Sequence, residues 1–80
     1  MDARDDKHDL LEAIGQALHG PEWQSALSRD LQISDRTVRR WVAGANIPTG
    51  VFVDLMGILQ ERAMILDDLA NVAKRYGGGT

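Results

Sequence analysis

Eighty residues make one domain, and a core that small is marginal unless disulfides, a metal or a second chain support it. The chain has no cysteine, which excludes a disulfide framework, a thiolate metal site and a cysteine nucleophile; association with another chain is the support to expect. The net charge is −3, and the apolar run near the start is too short for a signal peptide or a membrane span, so the expected setting is a cytoplasm, bacterial or phage-infected, with no membrane contact.

Two prolines, one tyrosine and one phenylalanine leave little material for strands, whereas Leu, Ala, Ile and Val recur at helical spacing. The expected fold class is therefore all-α. Residues 1–8 are acidic and predict a flexible N-terminus. Asp9 and Glu12 have the form of a capping box, which starts helix one at residue 9, and Leu10, Leu11, Ile14, Ala17 and Leu18 then supply its apolar stripe up to Gly20 and Pro21. Pro21 suits the first position of helix two, in which Trp23, Ala26, Leu27 and Leu31 repeat every three or four residues.

Ser34 is the expected N-cap of helix three, with Asp35 placed to favour the positive end of its dipole and Gly44 placed to stop it. With Arg36 set at zero and about 100° per residue, Arg40 falls near 40° and Arg39 near 300°, while Trp41, Val38 and Val42 fall near 140°, 200° and 240°. Helix three thus has a packed back and a guanidinium front. Residues 45–50 read as a loop. The stretch 51–76 is helical with Gly57 as its one weak point, and its periodicity fits either one helix or two. The glycine-rich tail, residues 77–80, is expected to be flexible.

Charge is segregated along the chain. Between Trp23 and Gly50, Arg29, Arg36, Arg39 and Arg40 outweigh Asp30 and Asp35, whereas residues 1–12 are strongly acidic. A short helix with arginines on one face is what a DNA major groove accepts, because the groove admits one helix and Arg pairs bidentately with guanine. Most such faces are merely solvated. Trp23 and Trp41 are expected in the core, since no aromatic series suited to base stacking accompanies them. His8 and His19 lack the spacing of a metal pair, and neither a nucleotide fingerprint nor a Ser, His and carboxylate set is present. No enzyme activity, metal or cofactor is expected.

The run Gln24–Trp41, with its signature ISDRTVRRWVAG, resembles the helix-turn-helix of the lambda-repressor-like, or Cro-type, family of small phage and bacterial transcriptional regulators. The resemblance implies a compact four- to five-helix domain over residues 9–62, with a recognition helix at about residues 35–43. It implies base contacts from Asp35, Arg36, Thr37, Arg39 and Arg40 and phosphate contacts from Gln24, Ser34, Asn46 and Thr49. Two positions depart from the pattern: Ser28 stands where the family has alanine, and Gln32 where it has a turn glycine. Positive φ at Gln32 costs roughly 1 kcal/mol.

The C-terminal stretch, residues 63–76, is the expected dimerisation segment, because Leu59, Leu66, Leu69, Ala73 and Tyr76 keep coiled-coil-like spacings interrupted by Arg62. The resulting expectation is a homodimer that binds a near-palindromic duplex operator and represses transcription. The alternative is a protein-interaction module, antitoxin-like or a phage accessory protein, that uses the apolar C-terminal helix with DNA binding weak or lost.

Overall fold

The computed structural model describes residues 6–78. Residues 1–5 and 79–80, most of the two expected flexible ends, lie outside the described residues. In chain order the elements are α1 (Asp6–His19), a 3-10 turn (Gly20–Glu22), α2 (Trp23–Leu31), α3 (Asp35–Val42), α4 (Thr49–Ala73) and a π turn (Lys74–Gly78). Among the described residues there is no strand, and the chain is all-α.

α1 starts three residues earlier than its sequence suggests. Asp9 is not a cap but lies inside the first turn, where it and Asp6 complement the helix dipole. What extends the helix is His8, which is buried; its Nε2 lies 2.8 Å from the Ala45 carbonyl oxygen and donates to it. The expected flexible N-terminus therefore does not reach residue 8. The inward residues of α1 are His8, Leu11 and Gly15, at spacings of three and four, so the buried stripe is rotated away from Leu10 and Ala17, which are exposed.

Gly15 is buried because the Trp23 indole lies against its backbone where any other residue would carry a side chain. Trp23 heads α2, since Pro21 sits in the 3-10 turn rather than at the first position of the helix. Around the indole the core closes with Leu11, Leu27, Val38, Trp41, Ile47 and Leu55. Ile47 belongs to the loop after α3, yet it is fully buried. It anchors that loop beside the His8–Ala45 hydrogen bond. His19 at the end of α1 meets Asp30 of α2, Nε2 to Oδ2, at 2.6 Å.

α2 and α3 end alike. Gln32 is left-handed at φ 58°, Ile33 N–H bonds to the Ser28 carbonyl at 2.9 Å, and Gln32 N–H bonds to the Arg29 carbonyl at 3.2 Å. This paired 6→1 and 5→2 closure is the Schellman arrangement. After α3, Gly44 at φ 113° repeats it, with Ala45 N–H on the Arg40 carbonyl and Gly44 N–H on the Trp41 carbonyl, both at 2.9 Å. Glycine occupies the second site without strain, whereas Gln32 carries it at the first. Gln32→Gly is expected to raise unfolding stability by about 1 kcal/mol, read from the urea midpoint at constant slope. An unchanged or lowered midpoint would show that the side chain compensates its own backbone.

α4 is a single helix of 25 residues, about 37 Å long at 1.5 Å per residue. Val51, Phe52, Leu55 and Ile58 lay its first half on the core, and Arg62 ends the contact by reaching the Leu18 carbonyl, Nη1 to O, at 3.5 Å. Arg62 interrupts the apolar series because a cation there meets the negative end of α1. Beyond it every residue to 77 is exposed. The expected four- to five-helix body is corrected in its helix count: among the described residues α1, α2 and α3 close the body, and instead of further separate helices one long α4 is laid on it for half its length and continues as the expected C-terminal helical segment. The radius of gyration is 15.6 Å, against about 11.6 Å for a compact chain of this length.

Candidate nucleic-acid interface

α2 and α3 are joined by the three residues Gln32–Ser34 and held at a fixed angle by two devices. One is the Schellman closure. The other is polar: Ser25 Oγ donates to Asp35 Oδ2 at 3.1 Å, and the buried Ser28 hydroxyl lies between Asp35 Oδ1 and the Ser25 carbonyl oxygen, 2.6 Å from the latter. Serine at position 28 is small enough for close helix contact and also supplies the hydroxyl that grips α3.

Asp35, one of the base contacts that the resemblance implies, is gripped from α2. Both of its carboxylate oxygens are engaged by α2, which makes it a residue that sets the angle of α3. The Ser28 hydrogen bond, then that of Ser25, holds its carboxyl below the ordinary Asp value, with the charges of Arg39 and Arg29 adding to the effect against partial burial. Because the folded value lies below the unfolded one, the stabilisation is complete above the ordinary carboxylate range and fades as pH falls through the folded value. Unfolding measured between about pH 6 and pH 2 should therefore show wild type and Asp35→Asn converging as the pH drops. Curves that stay parallel throughout would mean that the Asp35 charge does not hold the two helices together.

Ser34 caps α3: its Oγ accepts from Thr37 N–H at 3.2 Å and lies 2.9 Å from Thr37 Oγ1. Thr37 is half-buried and its hydroxyl is occupied by this contact. Val38 and Trp41 form the buried back of the helix. Arg36, Arg39 and Arg40 stand exposed on the front, and among the described residues none forms a hydrogen bond or ion pair with them. The wheel read from the sequence places the same side chains inward and outward.

Arg39 does not stand alone. With Gln24, Ser25 and Arg29 it lines a cleft of about 310 Å³ at the start of α2, bordered by Pro21 and Glu22. Gln24 thus lines the same cleft as Arg39 of α3. Arg29, outside the contacts that the resemblance implies, sits one turn from Ser25 on the same face of α2, a spacing that brings both to this cleft. Asn46 is exposed in the loop after α3 and Thr49 is exposed in the first turn of α4; neither lines this cleft. Among the described residues no three His, Asp or Glu side chains gather to hold a metal ion.

Compared with family models, curated proteins and solved structures, the chain matches none.

The residues expected at a dimer interface divide into two groups. Leu59 is half-buried and, with Leu10, Ile14, Phe52 and Met56, lines an open apolar groove. Leu66, Leu69 and Ala73 lie on the projecting half of α4, the two leucines each 58% exposed. Tyr76 is 87% exposed and sits in the π turn, whose wider step rotates it off the stripe. No helix among the described residues is long and apolar enough to cross a membrane.

Proposed function

We propose that this protein is a sequence-specific double-stranded DNA-binding regulator of transcription of the lambda-repressor-like, Cro-type kind, acting as a homodimer on a near-palindromic operator. The observation that carries the reading is α3 itself. It is an eight-residue helix anchored by Val38 and Trp41, locked to α2 across a three-residue turn, with three arginines exposed on the opposite face. That is the geometry of a helix carried into a major groove by a partner helix behind it.

Arg36 and Arg40 read base edges, while Arg39, Arg29 and Gln24 hold the phosphate backbone along the cleft at the start of α2. With so few cations and a net charge of −3, non-specific affinity is low, and useful affinity needs base contacts from two subunits. Repression follows from occupancy of the promoter alone. No cofactor takes part, no reaction is catalysed and the cytoplasm is the place of action.

The exposed leucines of α4 favour a second reading, a protein-interaction module in which the arginine face is only solvated. Selection from a random duplex pool at moderate salt separates the two. Enrichment of inverted half-sites with a fixed spacing, about 34 Å per helical turn, is the result expected of a dimeric reader. A folded protein that enriches no sequence would exclude DNA readout and leave the interaction module.

A further inference from the structure

Along the front line of α3 the side chains free to bond are donors. With Arg36 at zero and about 100° per residue, Arg40 and Ala43 lie within about 40° of the same line along the helix. Arg39 stands about 60° to one side, where it lines the cleft at the start of α2. The oxygens at the start of the helix are engaged within the chain. Both Asp35 carboxylate oxygens receive hydroxyls of α2, and the Ser34 and Thr37 hydroxyls bond to each other. What α3 offers along its front is therefore two exposed guanidinium groups, which have N–H donors and no acceptor.

That restricts which bases can answer. In the major groove guanine presents two acceptors side by side, N7 and O6. Adenine sets an N6 donor beside its N7, cytosine offers an N4 donor, and thymine has one acceptor beside a methyl group. A guanidinium thus makes two parallel bonds to guanine, finds one acceptor on adenine or thymine, and is opposed by cytosine. Spacing then fixes how two guanines stand. Four residues of helix advance about 6 Å, against about 3.4 Å for each base along a strand, so side chains on nearly one line reach bases one or two steps apart. One turn beyond Arg40 the front carries Ala43, whose side chain has no polar atom, and hydrogen-bonded readout stops there.

We infer that each half-site of the operator carries two guanines on one strand, adjacent or separated by a single base, one read by Arg36 and the other by Arg40. The inverted half-site places the matching pair on the opposite strand. Resting on the proposed DNA reading of α3, this adds the base, the strand and the spacing.

Selection from the random duplex pool is run with full-length wild type, Arg36→Gln and Arg40→Gln, each shown to be helical by circular dichroism and folded by urea unfolding. Glutamine pairs with adenine through N6 and N7, so each variant is expected to exchange one guanine of the pair for adenine, a different one in each, and to keep the other. In the duplex selected by wild type, 7-deazaguanine at either position removes N7 and leaves base pairing intact; it is expected to weaken binding roughly fivefold or more. Wild-type half-sites without two guanines so placed would overturn the inference and leave sequence-specific DNA binding standing. Variants that select the same bases as wild type would overturn it too, because the guanines would then be read by another element. Enrichment of no sequence by the folded wild type would overturn the DNA reading itself, and the inference with it.

Discussion

Gly15→Ala is expected to destabilise the protein, although alanine is the better helix former. Alanine in the interior of a helix gains about 1 kcal/mol over glycine, which alone would make the change favourable. A Cβ built at Gly15, however, falls within 2.5 Å of Trp23 Cδ2 and closer still to Cε3. Those atoms belong to a rigid ring that is buried at the junction of α1 and α2, so it has no free rotamer to take up. Overpacking of this kind costs about 1–3 kcal/mol, and more if the ring is pushed out, since losing a buried tryptophan's packing costs about 3–5 kcal/mol.

The expected net effect of Gly15→Ala is a loss of roughly 2 kcal/mol or more, seen as a lower urea midpoint and a thermal midpoint about 8 °C or more down for a domain this size. Gly57→Ala is the internal control. Gly57 also lies inside a helix, but a Cβ there meets nothing within 4 Å. It should gain up to about 1 kcal/mol. The same substitution in two helices thus carries opposite signs, decided by one aromatic ring. If both variants are stabilised, Trp23 does not pack on Gly15 as described.

What was legible in the sequence was local. The turn and α3 could be read because their signals lie within a few residues: Ser34 at the cap, Gly44 at the stop, and an outward arginine series against inward Val38 and Trp41. The left-handed Gln32 was legible too, since a three-residue turn between packed helices needs that geometry whatever residue stands there. The features that escaped depend on contacts across the chain. His8 is drawn into α1 by Ala45, 37 residues away, and Arg62 finds the Leu18 carbonyl across 44 residues. No periodicity within one helix shows either contact.

The site was legible to the same degree. Its arginines follow from helical geometry alone, but the grip on Asp35 depends on Ser25 and Ser28 belonging to a different helix at a particular crossing. An acid at the first position of a helix satisfies its own dipole, and that sufficient local reason hid the longer-range one. The apolar series in α4 looks like one stripe in the sequence because spacing cannot tell which part of a helix has a body beneath it. Leu59 and Leu69 look alike in sequence and differ only in what lies under them.

Replacing Arg36 and Arg40 together with alanine is expected to abolish discrimination between operator and random duplex while leaving the fold intact. Both side chains are exposed on α3 and touch none of the buried residues that hold it, so unfolding should shift by no more than about 0.5 kcal/mol. On the DNA-binding proposal each guanidinium contributes about 1–3 kcal/mol at one base position, between roughly fivefold and 150-fold. A single replacement should relax preference at its own position and leave the others unchanged. The double replacement then removes about 2–6 kcal/mol per half-site if the two act independently, enough to sink specific binding into the non-specific background. Arg29→Ala is the contrasting case: without its hold on a phosphate the protein binds every sequence more weakly by the same factor, and the salt slope falls by about 0.9 for each half-site. Competition binding across a panel of operator variants at two salt concentrations distinguishes these outcomes. If Arg36→Ala and Arg40→Ala weaken all duplexes alike, the front of α3 holds phosphates and base readout lies elsewhere. If none of the replacements changes binding, the arginine face is only solvated, and the exposed half of α4 is left as the surface through which the protein acts.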